Sequence, residues 1–408
     1  MIPRVAAPYT RKEIADMFDA FLKSYDEVIE DFKKIFCSKL GFRKVFLYNS
    51  GTAALYAVLK ALNIEKKEVV IPAYTCGSVV EAVLLAGGEP VLVDVDLQTF
   101  NLSLTELEKA VNHNTKVVIP VYLFGNPIDY YAFRDIIEKY GIYVVEDAAQ
   151  ALGARYDGKY VGCFGDAAIF SFGLGKGVSG GGGGALVVNN DELINEIEDA
   201  WVYLKKPDVR EDFSVILKNF SMFIFSNKKL YKAIRPYIEK ATFEADAKLV
   251  NRIFKLLSGE HKVKKRRINS FCKISKYSAA LVSSQIIKLE KIVDHRRANA
   301  EYLKTKLNLD NAIIQKEPKM AKHAYSRFGL IVNDRDTLRQ EIAHRGIDTE
   351  KMYSYMGKIY RKLAEHPLPN SYQLVDKLLC LPVHTKLNKK DLDLIVSCFN
   401  EIIGSRIL

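Results

Sequence analysis

Apolar and polar positions along this chain follow two periods. From Arg11 to Phe36 apolar residues fall at Ile14, Met17, Phe18, Phe21 and Leu22 with charges between them, which predicts an N-terminal helical arm. KVFLYNSGTAALYAVLKAL then reads as a short strand over Val45–Tyr48, a turn of Asn49, Ser50 and Gly51, and a helix opening near Thr52. EVVIPAYTCG contains a strand over Val69–Pro72, SVVEAVLLAGG a helix stopped by Gly87 and Gly88, and EPVLVDVD another strand. SLTELEKAV opens on a capping-box pattern, Ser103 with Glu106 three residues later. TKVVIPVYLFG reads as a strand, DYYAFRDIIEKYG as a helix closed by Gly141, and both IYVVE and DAAIFSF as buried strands. This alternation, continued to Val188, predicts an α/β fold with a mostly parallel sheet covered on both faces.

The texture changes after Asp191. Up to about Ser275 the pattern is helical without strands, and it includes the basic run KVKKRR. SAALVSSQIIKLEKIVDHRRANAEYLKTKL, Ser278 to Leu307, has the spacing of one long amphipathic helix. HAYSRFGLIV and DKLLCLPVH then read as strands, and DRDTLRQEIAHRGI and KKDLDLIVSCFNEII as helices. A chain of 408 residues exceeds the usual limit of one core, so two domains are expected. The large one spans 1–270, with a helical insertion at about 201–270, and a small C-terminal α/β domain spans 271–408.

Composition adds limits. Apolar residues make up 49% and charged residues 27%, as in an ordinary globular enzyme. The net charge of +11 is local: residues 201–275 hold eighteen Lys and Arg against seven Asp and Glu, an excess equal to that of the whole chain. A protein basic all over, the footprint of general nucleic-acid binding, is therefore not indicated. The insertion has two readings: helices packed on the body or on a second subunit, or a peripheral contact with the inner membrane surface through its Lys, Arg and Phe residues. The six cysteines are scattered without CxxC or metal-type spacing, which suggests reduced thiols in a cytoplasmic protein and no metal site. MIPRVAAPYT lacks the pattern of a cleaved signal, and no apolar run approaches 18 residues.

Candidate chemistry lies between Tyr143 and Val188. One strand delivers Asp147 at its end, the next delivers Lys176 shortly after its end, and five glycines, Gly180 to Gly184, follow. In an open α/β sheet, ligands sit at the carboxyl ends of the strands, where these opposite charges can meet across one pocket. A lysine amine and an acid at a glycine-lined mouth are the minimal equipment for pyridoxal phosphate, whose aldehyde needs the amine and whose ring nitrogen needs the acid. The turn before Thr52 feeds a helix N-terminus, a ready site for a phosphate, although many such turns carry no ligand. The glycine run reads either as a flexible linker or as a place of close backbone approach.

The ordered set IPRVAAPY, NSGTAALYAVLKAL, VVIPAYT, AGGEPVLVDVD, VIPVYLFGNP, VEDAAQALGA, GDAAIFSF, GGGGALVVN, SAALVSSQI, HRGI and LCLPVH resembles the DegT/DnrJ/EryC1/StrS family of PLP-dependent nucleotide-sugar aminotransferases. The resemblance covers nearly the whole chain except the insertion. It implies the fold-type I, aspartate aminotransferase-like architecture and a homodimer with shared active sites. It also implies transfer of an amino group from glutamate or a similar donor to a keto-sugar, nucleotide-linked, in surface polysaccharide or amino-sugar biosynthesis. By position, Lys176 would form the Schiff base and Asp147 would hold the ring nitrogen. Gln150 would lie beside the cofactor oxygen and ring, and Gly51, Thr52 and Ser171 would lie at the phosphate.

Some positions depart from the family pattern. Cys76 stands where the family has an aromatic residue against the cofactor ring, and Tyr74, two residues earlier, is either a replacement ring or a core tyrosine. Leu152 replaces a histidine, and Phe271 falls where an asparagine usually reaches the partner subunit's phosphate site, leaving Lys273 as a substitute. DTEKMYSYM lacks the usual His/Pro pattern near the acceptor. Lys176 argues against the family's dehydratases, which carry a histidine there. Lyase or decarboxylase chemistry on the same cofactor, and a non-catalytic, membrane-associated sugar-sensing role, remain alternative readings of the departures.

Overall fold

The computed structural model describes residues 1–310 and 312–405; the last three residues of the expected C-terminal domain lie outside that range. The N-terminal stretch forms two helices, α1 (Arg11–Asp19) and α2 (Tyr25–Leu40), each opened by a capping box, Thr10 with Glu13 and Ser24 with Glu27. They are packed into the body rather than projecting as an arm. Phe32 and Phe36 of α2 are fully buried, and Phe36 stacks edge-on to Phe170 and Phe172.

Alternation follows as β1 (Lys44–Tyr48), α3 (Gly51–Ala61), β2 (Glu68–Pro72), α4 (Gly77–Ala86), β3 (Glu89–Val93), α5 (Leu104–Ala110), β4 (Thr115–Val118), α6 (Tyr130–Glu138) and β5 (Tyr143–Asp147). A short hairpin absent from the sequence reading, β6 (Arg155–Tyr156) and β7 (Lys159–Tyr160), precedes β8 (Ala167–Ser171) and β9 (Gly184–Val188). Seven of these strands form one sheet in the order β1-β9-β8-β5-β4-β2-β3, with β9 antiparallel to both neighbours and the other pairings parallel. Alternate residues of each strand enter opposite cores, as a two-sided sheet requires. Val45, Leu47, Val144, Ala168 and Val187 face one cluster with α2, while Phe46, Tyr48, Val145, Ile169 and Leu186 face another with α3 and α4.

The insertion consists of α7 (Ile194–Val202), α8 (Val209–Phe225), α9 (Lys228–Leu257) and α10 (His261–Ile268). It is docked by specific polar contacts. The fully buried Asn219 of α8 donates to the Gly180 carbonyl at 2.8 Å, Tyr231 of α9 donates to Asp348 at 2.6 Å, and the buried Glu81 of α4 takes Arg252 and Arg267. Among the described residues no helix is long and apolar enough to cross a membrane.

The rest comprises α11 (Lys276–Ile287), α12 (Leu289–Lys306), β10 (Ile313–Ile314), β11 (Ala321–Lys322), β12 (Phe328–Ile331), α13 (Arg335–His344), α14 (Met356–Leu363), α15 (Pro369–Lys377), β13 (Leu378–Leu381) and α16 (Lys389–Ser405). The long helix expected from Ser278 is thus two, broken at Lys288, whose backbone leaves helical geometry and whose ammonium pairs with Glu13 at 2.5 Å. Periodicity did not reveal the break because both helices bury a face in the same register. Leu281, Val282 and Val293 join the sheet's first core, whereas Ala300 and Leu303 join a third core with β12, β13 and α16. The change of core falls within α12, whereas the texture of the sequence changes near residue 270.

His384, just after β13, donates through Nε2 to the Pro3 carbonyl at 2.9 Å and is 6% exposed. Burial pushes its imidazole down to about 4 from an ordinary 6.5. The unfolded chain therefore binds a proton that the folded chain excludes, so stability falls as pH drops from 6.5 toward 4. Between pH 7 and pH 5 this group is expected to remove about 2 kcal/mol, and urea unfolding of His384→Gln should show a correspondingly flatter acid limb.

Candidate active site

Asp147 ends β5, in the middle of the sheet, and is 6% exposed. Its backbone is tied to the extension of β4, donating to the Pro120 carbonyl at 2.9 Å and accepting from the Tyr122 amide at 3.1 Å. Its side chain accepts from the Ala149 amide at 3.0 Å. The preceding Glu146 points to the opposite face, where Tyr122 and the amides of Gly162, Phe164 and Gly165 all donate to it at 2.8 Å. Strand alternation thus assigns one carboxylate to structure and the next to the pocket. Burial pushes the Asp147 carboxyl up from its ordinary value, opposed by the Ala149 amide and by Lys176.

Lys176 follows the neighbouring strand β8. Burial pulls its ammonium down, against the attraction of Cys76, Asp147 and Glu350, with Arg327 adding to the downward push. The shift is toward the free amine, the nucleophilic form, relative to an exposed lysine. The loop carrying it is fastened on three sides. Arg327, which pairs with Glu350 at 2.7 Å, donates to the Gly175 carbonyl at 2.9 Å. Arg296 of α12 donates to the Gly177 carbonyl at 2.7 Å, and Gln285 of α11 exchanges two hydrogen bonds with the Ser179 backbone. Arg296 is 4% exposed, and its guanidinium is pushed down to about 9 by burial and by Arg327.

The turn after β1 meets the glycine run. Ser50 caps α3 by accepting from the Ala53 amide at 3.1 Å, leaving the first amides of the helix, from Gly51 and Thr52, at its open end. A Cβ on Gly51 would lie 3.2 Å from the Ser171 Cβ, and one on Gly184 would lie 2.5 Å from the Gly51 nitrogen. Gly183, at φ +101, donates to the Asn49 carbonyl at 2.9 Å. The glycines therefore form a packed seam rather than a linker, and they bring Ser171 beside the α3 N-terminus.

Gln150 accepts from the Phe124 amide at 3.3 Å and donates to the Tyr353 hydroxyl at 2.8 Å. Tyr74 is 1% exposed and donates to the Met352 carbonyl at 2.6 Å; it lies in the core with its ring centroid 5.8 Å from that of Tyr353. Cys76 precedes α4, with its sulfur 2.9 Å from the Ser78 hydroxyl and 3.9 Å from the Tyr355 hydroxyl. Lys273 is turned into its own subunit, donating to the Val202 carbonyl at 3.2 Å and lying 4.1 Å from the Trp201 ring centroid.

Arg296, Arg327, Glu350 and Tyr353 were missed in the sequence. Arg296 did leave a signal: it is a basic residue on the apolar stripe of Leu289, Ile292, Val293, Ala300 and Leu303. Glu350 and Tyr353 lie in DTEKMYSYM, noted in the sequence only as a departure near the acceptor, and Arg327 carries no local pattern.

The residues present fit pyridoxal phosphate. The cradle at Gly51 and Ser171 excludes side chains and offers helix-end amides to a phosphate. Thr75, in the turn between β2 and α4, keeps a fully buried hydroxyl without a hydrogen-bond partner among the described residues. An acid and a desolvated amine stand at the carboxyl ends of adjacent parallel strands. Fold and site together define a fold-type I pyridoxal-phosphate enzyme.

Residues 9–400 match the DegT/DnrJ/EryC1/StrS aminotransferase family. The chain belongs to that family, and it is a pyridoxal-phosphate-dependent aminotransferase. It is 27% identical over 385 residues, 91% of this chain and 89% of the relative, to the uncharacterized protein MJ1066 of Methanocaldococcus jannaschii. It is 34% identical over 229 residues, 54% of this chain and 62% of the relative, to the GDP-perosamine synthase of Caulobacter vibrioides. The solved PLP form of Spr1654 from Streptococcus pneumoniae superposes with a TM-score of 0.77 at 19% identity, covering 100% of this chain and 99% of that one.

The seam sets a steric test. Gly184→Ala is expected to cost about 1–3 kcal/mol and to weaken cofactor binding by pushing the α3 N-terminus away. Gly182→Ala is the tolerated control, since a Cβ there meets nothing nearer than Val215 at 3.9 Å. Thermal melts and titration of the apoprotein with pyridoxal phosphate would check both.

Proposed function

We propose that this enzyme moves an amino group from an amino acid, glutamate or a close analogue, to a keto-sugar carried on a nucleotide, in the making of amino sugars for surface polysaccharides. The observation that carries the reading is the desolvated Lys176 amine beside the buried Asp147 at the carboxyl end of the sheet. The similarity to a GDP-perosamine synthase supports a nucleotide-linked acceptor. The cofactor, when bound, supplies an electron sink for the substrate carbon. Asp147 would be the ionic partner that keeps the ring nitrogen protonated, and burial would strengthen that partnership by excluding water. Lys176 would hold the cofactor aldehyde through its amine, and as a free base it would be the group placed to move a proton on and off the substrate carbon. Arg327, Arg296 and Gln285 fix the backbone on both sides of Lys176, so the amine's reach is set by its side chain alone.

Cofactor and acceptor are tested separately. The purified chain should show a visible absorbance band that Lys176→Ala abolishes, and Asp147→Asn should lower turnover by about a hundredfold or more while leaving a band. Incubation with glutamate and a panel of nucleotide-linked keto-sugars should yield, by mass spectrometry, a sugar carrying the donor's nitrogen. Donor consumption without an aminated sugar would overturn the acceptor assignment.

The working unit we infer is a homodimer with shared active sites. Val209, Phe213, Leu217 and Phe220 form an exposed apolar stripe at helical spacing along α8, the helix that also holds the glycine seam through Asn219. The opposite face of α8 borders a cavity of about 320 Å³ lined by Asn49, Gly183, Lys218 and Lys273. Sedimentation should show a dimer at micromolar concentration and a monomer for Phe213→Asp/Leu217→Asp. A monomeric wild type would refute this arrangement.

A further inference from the structure

The wall of the pocket at the end of β2 presents a thiol, Cys76, whereas a flat cationic ring is held best against an aromatic face. A ring does reach this place, from a different part of the chain. The segment from Glu350 to Tyr355 is anchored at one end by paired backbone hydrogen bonds between Glu350 and Cys380 of β13, at 2.8 and 3.1 Å. At the other end the Tyr355 hydroxyl accepts from the Gly77 amide at 3.1 Å. Tyr353 stands between these anchors with φ +53, a left-handed conformation uncommon for a bulky aromatic residue and one that clusters at functional sites. It is 8% exposed, its hydroxyl is held by Gln150 at 2.8 Å, and its ring meets Tyr74 edge-on. Asp147, at the end of β5, and Cys76, just before α4, are both among its electrostatic neighbours.

We propose that Tyr353 supplies the aromatic contact for the cofactor ring that position 76 does not, and so makes the C-terminal segment part of the cofactor site. The strained backbone, the hydrogen bond to Gln150 and the small side chain of Cys76 then have one explanation. The thiol leaves the volume into which the tyrosine is delivered. Because the segment is paired with β13 and Glu350 holds Arg327, the ring and the Lys176 loop are positioned by the same anchor. This inference rests on the cofactor reading above.

The test reads cofactor affinity and ring geometry, using the full chain. Apoprotein is titrated with pyridoxal phosphate while visible absorbance and visible circular dichroism are recorded. Tyr353→Leu, which keeps bulk without a ring, is expected to raise the dissociation constant about tenfold and to diminish the visible dichroism. Tyr353→Phe, which keeps the ring, should stay within about threefold of wild type. Adding Cys76→Phe to Tyr353→Leu should recover most of the loss, because the new ring enters the same contact from the turn before α4. A Tyr353→Leu protein binding within about twofold of wild type overturns the proposal. So does a double variant no better than the single one. If Tyr353→Leu loses its cooperative melt, Tyr353→Phe decides, and a constant more than about threefold above wild type overturns the role of the ring. A wild-type band that does not depend on Lys176 would defeat the cofactor reading itself; a Lys176-dependent band with unmoved Tyr353 variants defeats only this inference.

Discussion

The constraint on which the site depends is the desolvation of two opposite charges, Asp147 and Lys176, at the carboxyl ends of adjacent strands. Neither residue is well served by burial alone. The carboxyl is pushed toward its neutral form and so is the amine, each pulled back only in part by the other. In a low-dielectric pocket that tension is useful chemistry: an amine that gives up its proton more easily is a better nucleophile, and a buried carboxylate attracts a cationic ring. A parallel sheet brings such groups together because its strands end on one side, which sets Asp147 directly at the end of β5 and leaves Lys176 to the loop that follows β8.

Holding Lys176 in place falls to parts of the chain far from it in sequence. Arg296 and Arg327 hold the carbonyls of Gly175 and Gly177, and both arrive from beyond residue 288. Two guanidinium groups this close repel, and burial of Arg296 adds to the cost. That cost is met by specific partners, chiefly Glu350, on which Arg327 and Arg4 act strongly enough to hold its carboxyl below the usual range against burial. The third core thus reaches into the site through charge as well as through packing.

The phosphate end is governed by sterics. Gly184 passes so close to the α3 N-terminus that any Cβ would collide with backbone, and Asn219 of the insertion closes the seam by binding the Gly180 carbonyl. The insertion is therefore connected to the cofactor cradle from inside the chain, while the outer face of α8 keeps its apolar stripe. The same helix links the glycine seam with the surface at which a second copy is inferred.

Local pattern alone determined the alternating units, the Ser103 cap of α5 and the position of Asp147 and Lys176 after their strands, because period-two and period-3.6 burial leaves its mark on neighbouring residues. It also determined the family, through motifs that lie in order along the chain. The break at Lys288, the hairpin at Arg155–Tyr160 and the burial of Tyr74 left no such mark. Tyr74 could be read as a pocket ring or a core residue until its hydroxyl was found on Met352, nearly three hundred residues away. Tyr353 is the opposite case, a residue of DTEKMYSYM, a stretch notable in the sequence only for what it lacks, carried to Gln150 by pairing of Glu350 with Cys380. Periodicity records which face of an element is buried, whereas the partner on that face is settled only when distant elements pack, and so the tertiary structure alone decided which distant groups surround the two charges.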